Sequence, residues 1–283
     1  MSRIEKALEK AVQLRDSRAE SDKKPVFTKE RVRERIKESV FDAEESLTVD
    51  NPYVITLKDP GSPASEEYRK LKSMIVKITH QEAFLNALMV TSSLSWEGKT
   101  LTAMNLAITL AQEYDYTVLL VDADLRRPSL HGYFNIKPEF GLADCLTDEI
   151  DLGDALIKTG IGKLSFLPSG KKVSNPVELL SSQRMKELIA EMKMRYPDRY
   201  IIIDTPPLLP FAETHAISCM VDGVIFVVKE GKTSLQSIDD SMEILQQSRL
   251  LGIVYNGVDT GGSGVRNYHH SYSGINAQSG REA

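Results

Sequence analysis

The stretch ALMVTSSLSWEGKTLTAMNLAITLAQ, residues 87–112, decides the fold. Ala87–Thr91 is an apolar run of strand length, and from Lys99 to Tyr114 the apolar positions recur at helical spacing. Between them the pattern G-x-x-x-x-G-K-[ST] is met at Gly98-Lys99-Thr100, with Ser93 in the first Gly position. A strand, a tight loop and a helix in this order turn backbone N–H groups and the positive helix end towards one point, where an anion is held. The loop is therefore read as a phosphate site. Gly98 lets the backbone come close, Lys99 reaches the β- and γ-phosphates, and the Thr100 hydroxyl ligates Mg²⁺. Ser95, Trp96, Glu97 and Leu101 complete the binding loop and the first helical turn.

Working outward, Thr117–Val121 ends in Asp122-Ala123-Asp124, and Tyr200–Ile203 ends in Asp204. Further strands are expected at Leu164–Pro168, Gly223–Val228 and Gly252–Tyr255, and further helices over Val177–Arg195 and Ser234–Ser248. Strands alternating with helices predict an α/β fold, a mostly parallel sheet with helices on both faces. In such a sheet the strand C-termini meet at one edge, which brings the three aspartates beside the phosphate loop, where carboxylates hold Mg²⁺. An aspartate at a strand end also serves as a helix cap or turn residue.

Residues 1–50 carry 12 basic and 12 acidic side chains and read as a charged helical segment and linker. Ile4, Leu8, Ala11 and Leu14 lie at helical spacing, either on a solvated helix or on one that docks to a partner. Residues 51–259 form the α/β domain. Residues 260–283 hold five Gly and four Ser around Tyr268 and Tyr272 and read as a flexible tail. Across the 283 residues, 40 acidic and 35 basic side chains give a net charge of -5, which argues against a nucleic-acid partner. Cys145 and Cys219 form no Cys-x-x-Cys pair, so neither a disulfide framework nor a cysteine zinc site is expected, and a reducing compartment fits. The longest mainly apolar stretch, Ile217–Val228, is well short of the ~20 residues that span a bilayer. The start MSRIEKALEKA has no apolar signal-peptide region.

SSLSWEGKT, VLLVDADLRRP and YIIIDTPP, in this order, resemble the bacterial tyrosine kinases of capsule and exopolysaccharide systems. Those are P-loop enzymes with a MinD/ParA-like fold. MSRIEKALEKA is similar to the cytoplasmic kinases of the exosortase-associated branch. The resemblance implies an ATP-dependent protein-tyrosine autokinase that controls polysaccharide polymerisation and export, with ATP and Mg²⁺ as cofactors. It implies catalytic roles for Lys99, Asp122 and Asp124, with Asp122 also accepting the tyrosine proton. Metal ligation falls to Thr100, Asp122 and Asp204, and adenine reading to Asn256 in GIVYNGV. Glu66, Arg69 and Lys72 fit a Glu-x-x-Arg-x-x-Arg helix that packs between subunits of a ring, with Lys for the last Arg; alone they read as an exposed ion pair. Tyr268 and Tyr272 become the autophosphorylation sites. The implied partners are a membrane-bound polysaccharide co-polymerase or chain-length determinant as activator and a cognate tyrosine phosphatase. The implied location is cytoplasmic, at the inner face of the membrane.

The sequence departs from that family in Ser95-Trp96, where many members have Pro-Gly, and in having only two tail tyrosines. Two other readings remain open. One is a ParA/MinD-type positioning ATPase, whose early second lysine is missing from Ser93–Glu97. The other is a nucleotide-gated scaffold of the export machinery.

Overall fold

A computed structural model describes residues 47–258 apart from Glu82 and Glu149. The helix expected near the N-terminus and the tail with Tyr268 and Tyr272 lie outside the described residues.

The elements follow in chain order. A single turn α1 (Ile55–Lys58) leads to α2 (Pro63–Thr79), then β1 (Ala87–Ser92), α3 (Lys99–Ala111) and β2 (Thr117–Asp122). Short helices α4 (Leu130–Tyr133), α5 (Leu142–Thr147) and α6 (Leu152–Ala155) precede β3 (Ile157–Lys158) and β4 (Leu164–Leu167). Next come α7 (Pro176–Leu180), α8 (Gln183–Arg195), β5 (Arg199–Asp204), α9 (Ala212–Ser218), β6 (Gly223–Lys229), α10 (Leu235–Ile244) and β7 (Leu250–Asn256).

The seven strands form one sheet in the order β3-β4-β2-β5-β1-β6-β7. Every neighbouring pair is parallel except β3 with β4. The central strands are buried from end to end, as expected when helices cover both faces. Ala87, Met89, Ile201, Ile203 and Phe226 pack on one side against Met185, Leu188 and Met192 of α8. Leu88, Val90, Tyr200, Ile202 and Val227 pack on the other against Met104, Leu106 and Leu110 of α3. This alternation is the period-2 geometry of a strand.

The six predicted strands are present, and three local differences have physical causes. The single helix expected over Val177–Arg195 is two, because Ser182 leaves the helical conformation and its hydroxyl caps α8 by accepting from Met185 N at 3.2 Å. The helix expected over Ser234–Ser248 ends at Ile244 and tightens into a 3₁₀ turn over Leu245–Gln247. The two-residue strand β3 is too short to carry a period. At the amino end, Leu47 N donates to Thr159 O at 2.8 Å, so the chain is already tied to the domain there.

Candidate nucleotide and phosphotransfer site

The C-terminal ends of β1, β2 and β5 meet as the parallel order requires, and Asp122 faces Asp204 in register. Lys99, in the first turn of α3, extends into the space between the acidic ends. Its Nζ lies 3.2 Å from Asp124 Oδ2 and 3.7 Å from Asp204 Oδ1. Burial works to lower the ammonium pKa, but Asp204 and Asp124 overcome it and the net shift is upward.

The three carboxylates are not equivalent. Asp122 is fully buried: Oδ1 accepts from Asp124 N at 3.3 Å, and Oδ2 from Ser129 N and Leu130 N, each at 3.2 Å. Burial, helped by the charge of Asp204, pushes its pKa up to about 8. Asp204 is also fully buried, yet neither of its oxygens has a hydrogen-bond partner. Burial raises its pKa to about 6 against the pull of Lys99. Asp124 keeps 7% exposure; its Oδ1 accepts from Arg127 N at 3.0 Å. Asp122 thus shapes the loop behind the site, and Asp124 stands at the rim. Asp204 makes no hydrogen bond, and its one close charged partner is the Lys99 ammonium, a place that a bound cation can share.

The loop from Ser93 to Gly98 has the shape that the motif predicts. Gly98 caps α3 with φ 97°, and a Cβ there would lie 2.0 Å from Asn256 Nδ2, so only glycine fits. Trp96 also has a positive φ, 70°, and its side chain faces solvent. A non-glycine residue in this region costs on the order of 1–3 kcal/mol.

Two side chains of the expected nucleotide site make contacts within the protein. Glu97 is fully buried and braces the loop from within: Oε2 accepts from Leu94 N at 2.8 Å, and Oε1 from the Thr233 hydroxyl. Asn256 Nδ2 donates to Glu97 O at 2.9 Å, so the residue expected to read adenine holds the loop in this structure. Ser95 and Ser93 are held too. Lys232 Nζ donates to Ser95 O at 2.9 Å, and the Ser93 hydroxyl donates to Ser237 O at 3.1 Å. Thr100 and Leu101 are half-buried in the first turn of α3.

Sequence reasoning missed the segments that pin the site. Thr233 and Ser237, near the start of α10, give no signal in the sequence, since they lie more than 130 residues from the loop they hold. Arg126 pairs with the fully buried Glu213 and stacks 4.7 Å above Phe211, tying the loop after β2 to the start of α9. Tyr133 on α4 is within electrostatic range of Asp204 and Lys99; burial first, then Asp204, raises its pKa.

Glu66, Arg69 and Lys72 share α2 but not the nucleotide site. Arg69 Nη1 lies 2.6 Å from Glu66 Oε2, and Lys72 pairs with Glu113.

Backbone N–H groups at a helix start, a buried lysine and a carboxylate without hydrogen bonds suit a nucleotide phosphate with a divalent cation. Among the described residues, no three His, Cys, Asp or Glu side chains form a protein-only metal cage. Such a cage is not needed for Mg²⁺, which is ordinarily held by one or two carboxylates together with substrate phosphates.

Residues 96–250 match the family model described as an AAA domain. Tyrosine-protein kinase YwqD of Bacillus subtilis is 36% identical over 206 residues, 72% of this chain and 85% of that protein. Tyrosine-protein kinase etk of Escherichia coli K12 is 30% identical over 224 residues, 78% of this chain but only 30% of that protein, so this chain spans less than a third of it. The solved kinase domain of Escherichia coli tyrosine kinase ETK has a TM-score of 0.70 at 28% identity, over 81% of this chain and 88% of that domain.

Proposed function

This chain belongs to the family of bacterial tyrosine-protein kinases, and from that membership and the site's geometry we propose an ATP-dependent protein-tyrosine autokinase that regulates exopolysaccharide or capsule polymerisation and export. The observation that carries the reading is Lys99 held among Asp122, Asp124 and Asp204 directly behind a phosphate loop. Bound ATP with Mg²⁺ supplies the γ-phosphoryl group and much of the charge neutralisation that phosphoryl transfer needs. Lys99 releases its carboxylate partners and offers its ammonium to phosphate oxygens. The Thr100 hydroxyl and Asp204 would hold the cation, Asp204 being the carboxylate that makes no hydrogen bond. The family resemblance implies that Asp122 accepts the tyrosine proton. Asp122 is sealed behind three backbone N–H groups, so the proton of the attacking hydroxyl goes instead to Asp124 at the rim.

Tyr268 and Tyr272 are the acceptors. Replacing both by Phe keeps tail length and apolar character, and phosphotyrosine is expected to fall strongly while ATP still binds. Mass spectrometry of the purified double variant after incubation with Mg²⁺-ATP checks this; unchanged phosphotyrosine would move the acceptors elsewhere. Such a variant should still label the tail of a Lys99→Met chain mixed with it, if transfer runs between chains.

The chain assembles as a ring of identical subunits, activated by a membrane-bound polysaccharide co-polymerase or chain-length determinant and reset by a tyrosine phosphatase. It works at the inner face of the membrane through that partner. No helix among the described residues is long and apolar enough to cross a membrane. Glu66, Arg69 and Lys72 form the ring contact, for which the Glu66–Arg69 and Lys72–Glu113 pairs must open. The exposed Glu66–Arg69 pair is worth at most about 1 kcal/mol, a small barrier to exchange, whereas Lys72 is largely buried against Glu113 and must turn outward. Alanine at all three positions is expected to shift the unphosphorylated protein, with its activator, towards monomer in light scattering. An unchanged mass would return α2 to a solvated face.

A further inference from the structure

We propose that Trp96 is the docking platform for the acceptor tyrosine. The ring of Tyr268 or Tyr272, carried by segment 259–283 of this chain, stacks on the indole at the rim of the phosphate loop. The inference rests on the kinase reading and extends it to how the acceptor is recognised.

Three observations carry it. Trp96 is held at φ 70°, a conformation that favours glycine, so a bulky residue there is strained. That strain is not repaid by packing inside the domain, because Trp96 is 79% exposed. Leu94 and Leu235 are exposed as well, and Leu235 opens the helix whose Ser237 O holds Ser93. The loop thus presents an apolar rim around a charged centre, the form of a site that grips a ring while presenting its hydroxyl to charge.

The third observation names the occupant. Strand β7 ends at Asn256, whose amide touches Glu97 O and lies against Gly98, two residues from Trp96. The described chain stops at Val258, so segment 259–283 starts beside the loop. Tyr268 follows ten residues later, a reach of up to about 35 Å for an extended chain. The intervening Gly261, Gly262, Ser263 and Gly264 place little steric limit on the path. Tyr268 and Tyr272 supply rings with a hydroxyl, and offset or edge-to-face packing on an indole suits them.

The test uses full-length protein and a synthetic peptide of residues 260–283 as added acceptor. Trp96→Gly fits the positive φ, so the loop keeps its backbone path. The peptide KM is expected to rise about tenfold, the loss of one good aromatic contact. That rise should exceed any change in nucleotide Kd, and Trp96→Phe should restore most of it. An unchanged peptide KM would overturn the proposal. So would a rise in nucleotide Kd that matched or exceeded it, since the indole would then stack on the base.

A second readout does not depend on phosphotransfer. Trp96 is the only tryptophan in the chain, so its fluorescence reports this one position. With Mg²⁺ and a non-hydrolysable ATP analogue, serine at both Tyr268 and Tyr272 should increase acrylamide quenching over wild type. Equal quenching would overturn the docking even in an active kinase. Absence of phosphotyrosine in wild type would count against the kinase reading alone, with the quenching result still deciding the docking.

Discussion

Lys99→Met is expected to lower phosphotransfer by about a thousandfold or more, the scale of losing a principal charge at a phosphoryl centre. A lysine that only served phosphate could be lost without cost to the fold. The structure corrects that. Lys99 is almost fully buried and is the cation paired with both Asp124 and Asp204. Its removal leaves three neighbouring carboxylates without that charge, and breaking a buried pair typically costs about 3–5 kcal/mol. Proton uptake by the carboxylates offsets part of this. Asp204 and Asp122 have pKa values raised to about 6 and about 8, so at pH 5 both are mostly neutral and have little use for Lys99. The variant's loss of thermal stability should therefore be larger at pH 8 than at pH 5. Wild-type phosphotransfer rates in a folded Lys99→Met protein would remove the lysine from the mechanism.

The second large effect concerns Asp204. Asp204→Asn should lose phosphotransfer by orders of magnitude, because it removes the one carboxylate of the three whose oxygens make no hydrogen bond and can turn to a cation. The same change should stabilise the nucleotide-free protein. A buried carboxylate whose pKa rises from 3.8 to about 6 favours folding most below pH ~4, and that advantage is lost as pH climbs through 6. Asparagine carries no such charge. Its benefit should be absent near pH 4 and reach on the order of 2–3 kcal/mol by pH 7.5, measurable by urea unfolding. The other two aspartates separate differently. Asp124→Asn should cost activity and some stability, since it removes the nearer carboxylate partner of the buried Lys99. Asp122→Asn should cost both, since an amide cannot accept all three backbone N–H groups held by the carboxylate. An active Asp204→Asn protein, or one less stable than wild type at pH 7.5, would contradict the assignment.

Much of this was legible in the sequence for a physical reason. Parallel strands covered on both faces must be apolar throughout, so runs such as Ala87–Thr91 and Tyr200–Ile203 stand out without an alternating pattern. The phosphate loop was legible because Gly98-Lys99-Thr100 is local in sequence. What could not be read is held by contacts across long separations. The turn at Thr233 that receives Glu97, and the Arg126–Glu213 pair, join segments with no shared pattern. The inward turn of the Glu97 side chain could not be read either, because a charged residue in a polar loop gives no sign of it. The break at Ser181-Ser182 was missed for the opposite reason: apolar spacing continues across it, and only the capping hydroxyl of Ser182 marks the restart.

The central claim is that this site moves a phosphoryl group to tyrosine. The most direct measurement is mass spectrometry of the purified full-length protein after incubation with Mg²⁺-ATP, beside a Lys99→Met control. The account predicts phosphate on Tyr268 and Tyr272 in the wild type and none in the control. Steady release of inorganic phosphate from ATP, with no phosphotyrosine anywhere in the chain, would contradict it.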